Sequence, residues 1–147
     1  NPIELAAIST GSGPEYTFKN ADKAHSSGAE IELRKSFDNF KNKNNFLHFL
    51  KNYTLVFNAA IIKSEVVIPE NETYIDIRKR PLQGQSPFIV NCGLFYQHDK
   101  TDLMISAVYN VIGKKIMVVG YPQHPSIFEM PHNLLDLTIT KSFRYPI

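Results

Sequence analysis

Apolar and polar residues alternate with period two over most of the chain. The alternation runs longest in two neighbouring stretches, Gln85–Gln97 and Asp102–Val119. In the second, Leu103, Ile105, Ala107, Tyr109 and Val111 share one parity, and Met104, Ser106, Val108, Asn110 and Ile112 share the other. Period two marks a β-strand with two unlike faces. Read as one strand, Asp102–Val119 covers about 18 residues, or roughly 60 Å at ~3.3 Å per residue, against roughly 5–6 residues for an ordinary globular strand. Strands of that length joined by a tight turn suit a membrane-spanning β-barrel.

The same reading predicts about six strands. Two lie early, at Ile3–Ser9 and Tyr16–Asn20. Gly28–Phe37 sets Ile31 and Leu33 against Glu30, Glu32 and Arg34. Leu47–Val67 sets Tyr53, Leu55, Phe57, Ala59 and Ile61 against Thr54, Asn58 and Ser64, with a helical turn as the alternative for Leu47–Phe49. Asn133–Tyr145 sets Leu135, Leu137 and Ile139 against Asp136, Thr138 and Thr140.

The connections alternate in length. Asp38–Asn45 and His98–Thr101 are short and polar, whereas Ile68–Pro87 and Gly120–Pro131 are long and rich in proline. In an up-and-down antiparallel array, alternate connections fall at the same end. Short turns at one rim and long loops at the other are the pattern of bacterial outer-membrane barrels, periplasmic and extracellular respectively. On that pattern Phe88, Val90, Cys92, Leu94 and Tyr96 face lipid, while Asn91, Gly93 and Gln97 face the lumen. Ile89 and Phe95 depart from it. The expected fold is all-β: an antiparallel, up-and-down, long-stranded sheet that forms part of a transmembrane β-barrel.

Composition narrows the classes. A chain of 147 residues suits one segment or domain spanning residues 1–147. A net charge of +2 is too weak to argue for a nucleic-acid partner. Apolar runs stay well short of the ~18 residues of a membrane-spanning helix, a test to which barrel strands are blind. Aromatic residues, all Phe and Tyr, make up 12% of the chain, which fits β-structure and the aromatic girdles of outer-membrane barrels. Cys92 is the lone cysteine, so no internal disulfide forms, and it reads as a small apolar residue. The opening Asn1-Pro2, without Met or signal peptide, suggests a processed chain or a piece of a longer one.

Several spaced segments resemble, in order, the late barrel of Bacteroidota-type TonB-dependent outer-membrane receptors. They are Asn20–Ala24 (NADKA), Gly28–Ser36 (GAEIELRKS), Arg80–Tyr96 (RPLQGQSPFIVNCGLFY), Val108–Ile116 (VYNVIGKKI) and Glu129–Lys141 (EMPHNLLDLTITK). Lys115 and His132 stand where the family usually carries Arg. Family members have a plug domain, a TonB-interacting box and a barrel of about 22 strands. The resemblance therefore implies an internal piece of the C-terminal barrel, with plug and final strands outside it. It implies residence in the bacterial outer membrane and a part in active uptake of a scarce solute such as a siderophore, glycan, peptide or cobalamin. The implied partners are the lipid bilayer, the rest of the barrel and its plug, the TonB complex acting through N-terminal parts, and the solute.

Long loops over a rigid scaffold carry recognition, which points to Tyr74–Gln85 and Tyr121–Glu129. The candidate ligand-binding residues are Arg78, Arg80, Gln83, Gln85, Tyr121 and His124. Glu30 and Glu32 read as water-facing charges, not as a glycosidase pair. His25, His48, His98, His124 and His132 are scattered without ligand spacing, so no metal is expected. No phosphate loop, nucleophile elbow or triad order appears, and neither an enzyme nor a cofactor is expected. The rival reading is a soluble β-barrel or sandwich that binds a small ligand inside, with its apolar parity turned inward.

Overall fold

The computed structural model describes residues 2–10, 13–21, 23–38, 50–67, 79–120 and 124–143. Its elements in chain order are β1 (Ile3–Thr10), β2 (Gly13–Asn20), β3 (Lys23–Ser36), β4 (Tyr53–Val67), β5 (Lys79–Arg80), β6 (Phe88–His98), β7 (Leu103–Ile112), β8 (Lys115–Val118), β9 (Ile127–Glu129) and β10 (His132–Lys141). A single 3-10 turn, Asp99–Thr101, joins β6 to β7. Asp102 closes that turn with φ 48°, a left-handed conformation that Asp tolerates.

The fold is all-β, and its main sheet is antiparallel with the order β10-β7-β6-β4-β3; β5 pairs with the end of β4. The long strands thus follow one another as a meander, and the sheet stays open. The expected strands have counterparts with shifted bounds: β2 begins at Gly13 and not Tyr16, β3 at Lys23 and not Gly28, β4 at Tyr53 and not Leu47, and β6 at Phe88 and not Gln85. Asp102–Val119 corrects one expectation: it is two strands, β7 and β8, which belong to different sheets and are separated by Gly113 and Lys114. The expected 60 Å strand is therefore a 10-residue strand and a 4-residue strand. The break falls where β6 begins at Phe88. Gly113 N donates to Phe88 O at 3.1 Å, and a Cβ at Gly113 would lie 2.9 Å from the Phe88 ring. The second long connection also holds structure, since β9 pairs with β8. The turn at Asp38–Asn45, the helical alternative at Leu47–Phe49 and the first half of the Ile68–Pro87 loop lie largely or wholly outside the described residues.

The chain forms two compact units, with boundaries inside β3, β4 and near the ends of β6 and β7. The first comprises residues 1–29, 60–88 and 112–132. It holds the β1–β2 hairpin, in register from Ile3↔Asn20 to Thr10↔Gly13, and the β8–β9 pair. The two are stitched together beyond β8: Ala7 N donates to Val119 O at 2.9 Å and Val119 N to Leu5 O at 3.2 Å, in parallel sense. Its core is small. Ala6, Ile116 and Val119 form one buried cluster, and Ala21 and Val66 form another with Leu82 packed on it.

The second unit comprises residues 30–59, 89–111 and 133–147. Its described residues are mainly segments of the long strands with the Asp99–Thr101 turn, and among them Gly93 alone is buried. Every residue of β10 is exposed, as is every residue of β3. Among the described residues this unit is a single layer of sheet, exposed along β3 and β10 and half-buried along much of β4 and β6.

Candidate functional site

Two surfaces carry chemistry, one in each unit. In the second unit, strand parity sorts side chains as alternation predicts. A row of polar side chains crosses four strands on one face. Asn110 Nδ2 donates to Asn91 Oδ1, Asn91 Nδ2 donates to Asn58 Oδ1 at 3.3 Å, and Asn58 Nδ2 donates to Glu30 Oε1 at 2.5 Å. These residues fall on the parity that the sequence assigned to the polar face. Phe95, which breaks that parity, lies over Gly93: a Cβ at Gly93 would sit 2.8 Å from the Phe95 ring. The ring fills the gap left by a residue without a side chain.

The opposite face carries Ile31, Leu33, Leu94, Ile105, Leu135, Leu137 and Ile139, all exposed, with Leu137 at 71% and Ile139 at 73%. Tyrosines punctuate it. The Tyr53 and Tyr96 rings lie 5.0 Å apart, and Tyr109 Oη donates to Asn133 Oδ1 at 3.2 Å.

In the first unit, the Arg80–Pro87 segment is built around a turn. Gln85 N donates to Leu82 O at 3.2 Å and Gly84 has φ 75°, as the third position of a type II turn requires. Gly84 N reaches Ile116 O at 2.8 Å. Gln83, at the turn's second position, acts as an inserted peptide. Its Oε1 accepts from Leu5 N at 2.6 Å, and its Nε2 donates to Leu5 O at 3.1 Å and Met117 O at 2.5 Å. Arg80 is turned inward, its side chain 3% exposed. It pairs with both oxygens of Glu4, at 2.8 and 2.5 Å. Its Nε has no hydrogen-bond partner among the described residues.

Beside this turn lies a cavity of about 400 Å³. Ile62, Pro81, Pro87, Ile116 and Phe128 give it apolar walls. Lys63, Lys114 and Lys115 also line it, together with Ser64 and Gln85. Lys114 Nζ stands 3.9 Å above the Phe128 ring, and Lys115 Nζ is 3.2 Å from Glu129 Oε2. Ser64 Oγ accepts from Leu82 N at 3.1 Å, so its hydroxyl is tied to the cavity wall.

Of the ligand-binding candidates, Gln85 lines this cavity. Arg80 and Gln83 hold the first unit together, and His124 is exposed on the connection before β9. Arg78 and Tyr121 lie outside the described residues. Lys63, Lys114 and Phe128 escaped the sequence reading. Lys114-Lys115 is visible beside Gly113 as a pair of like charges at a break, but Phe128 gives no signal until β9 is seen to pair with β8. Elsewhere His98 Nδ1 lies 2.8 Å from Thr101 Oγ1 and His132 Nδ1 lies 3.5 Å from Glu129 Oε1.

Comparison with family models, with curated proteins and with solved structures finds no match.

Proposed function

We propose that this chain supplies part of the barrel wall of a TonB-dependent outer-membrane receptor that takes up a scarce solute. The observation that carries the reading is the second unit's sheet. Among the described residues it is one layer thick, with an exposed aliphatic face punctuated by tyrosines and an opposite face tied across by amides and a carboxylate. A soluble barrel or sandwich buries its aliphatic face against a second layer. A transmembrane barrel turns that face to lipid and keeps the polar parity inside. Each exposed Leu or Ile would gain about 1.5–3 kcal/mol on full burial, so a face bearing several of them needs a cover. On this reading the cover is the bilayer of a bacterial outer membrane. The polar row faces a lumen occupied by a plug, and further strands continue the sheet at β3 and β10. The long connections, Ile68–Pro87 and Gly120–Pro131, lie on the solute side. The TonB complex acts through N-terminal parts. The protein works as a transporter and not as an enzyme.

The test uses neighbouring positions of opposite parity on β10. In a Cys92→Ser background, Leu137→Cys and Thr138→Cys variants of the full-length gene product are spin-labelled in outer-membrane vesicles. The label at position 137 is expected to be accessible to dissolved oxygen in the lipid phase, and that at 138 to a water-soluble relaxation agent. Recovery of the protein in the soluble fraction, or the reverse pattern of accessibility, would replace this reading with the soluble ligand-binding one.

A further inference from the structure

We infer that the cavity of the first unit is a binding site for an aromatic carboxylate: a flat apolar body carrying one anionic head. The volume of about 400 Å³ lies within the ~300–1,000 Å³ of small-molecule sites. Its walls select the body. Ile62, Ile116, Pro81, Pro87 and Phe128 offer apolar surface and one aromatic ring, and Ser64 is already engaged as an acceptor from Leu82. Such walls disfavour a sugar, whose hydroxyls would go unpaired on burial.

The lysines select the head. Lys115 is matched by Glu129. Glu65 stands 3.9 Å from Lys79, and Glu4 is consumed by Arg80. Lys63 and Lys114 have no carboxylate partner among the described residues, so the cavity carries positive charge beyond what its own acids balance. Lys114 is also held in place over Phe128, which sets an ammonium beside the apolar wall before any ligand arrives. A carboxylate takes a charge-assisted hydrogen bond from the Lys114 amine, with Lys63 adding positive charge to the lining; a neutral isostere leaves that amine unmatched, and an organic cation is repelled.

The inference rests on the uptake reading for its biological meaning but not for its test. Binding is measured on the purified full chain, whereas membrane residence is measured in vesicles, so either can fail alone. The probe is 2-naphthoate, with 2-naphthamide as its neutral isostere, followed by equilibrium dialysis in a non-ionic detergent against a micelle-only control. The acid is expected to bind saturably and about tenfold more tightly than the amide, with affinity falling as salt rises. Lys63→Gln and Lys114→Gln are each expected to weaken the acid about fivefold and leave the amide unchanged. Phe128→Ala is expected to weaken both, and far-UV circular dichroism checks that each variant keeps its sheet. Equal affinity for acid and amide overturns the assignment. So does full acid affinity in the folded Lys63→Gln/Lys114→Gln double variant, or uptake no greater than that of micelles.

Discussion

Arg80 shows how much a single residue's role depends on its partner. A basic side chain in a proline-rich connection reads as a solvated contact for an anion. In the structure it is buried against Glu4, a residue 76 positions away whose own neighbourhood in the sequence gives no hint of a partner. Removing one member of a buried pair leaves the other charge uncompensated. Glu4→Gln is therefore expected to destabilise the chain by about 3–5 kcal/mol in chemical unfolding followed by tyrosine fluorescence. The Glu4→Leu/Arg80→Met double variant is expected to lose less than Glu4→Gln, because it removes both charges and fills the same space. A double variant that is worse than Glu4→Gln would mean that the pair is a net stabiliser rather than a matched cost. Gln83 is the uncharged counterpart. Its amide substitutes for a stretch of backbone between Leu5 and Met117, a role that no local pattern announces.

Among the elements, what could be read from the sequence and what could not divide along a physical line. Alternation records which residues share a face, so the polar row Asn110–Asn91–Asn58–Glu30 and the aliphatic positions of β10 were legible. It does not record which sheet a strand joins: the alternation lapses at Lys114-Lys115 and Ile116-Met117-Val118, but that lapse does not say that the chain leaves one sheet for another. The signal that was present is Gly113, at which the Phe88 ring takes the place of a side chain. Gly113→Val would drive its side chain into that ring and into Ser86 Oγ, 3.0 Å from the ideal Cβ. The expected cost is about 1–3 kcal/mol. Amide exchange is expected to quicken first at position 113, whose N–H donates to Phe88 O. Unchanged protection there, with normal stability, would show that the break tolerates a branched side chain.

Among the described residues the buried apolar clusters lie in the first unit, while the second shows a layer of sheet with Gly93 alone buried. Composition marks the first unit as the turn-rich one, since every proline but Pro146 and every glycine but Gly93 falls in it, yet it does not say where a core forms. What distinguishes them is whether a second layer meets the apolar face, and that depends on contacts between residues far apart in the sequence. β3 and β10, strands of 14 and 10 residues, stand at the two ends of the strand order. In detergent-free buffer the isolated chain is therefore expected to self-associate through its edges and its aliphatic face. Sedimentation velocity should show polydisperse oligomers that detergent disperses. A monomer with a single cooperative unfolding transition would contradict the expectation.

The order β10-β7-β6-β4-β3 has an arithmetic consequence. Direction reverses at each step of an antiparallel meander, so over five strands the first and the last point the same way. Two such edges cannot be zipped to each other, nor to those of a second copy related by a two-fold along the strand axis, without creating a parallel seam. Any closed, wholly antiparallel wall built on this sheet must therefore recruit an odd number of further strands.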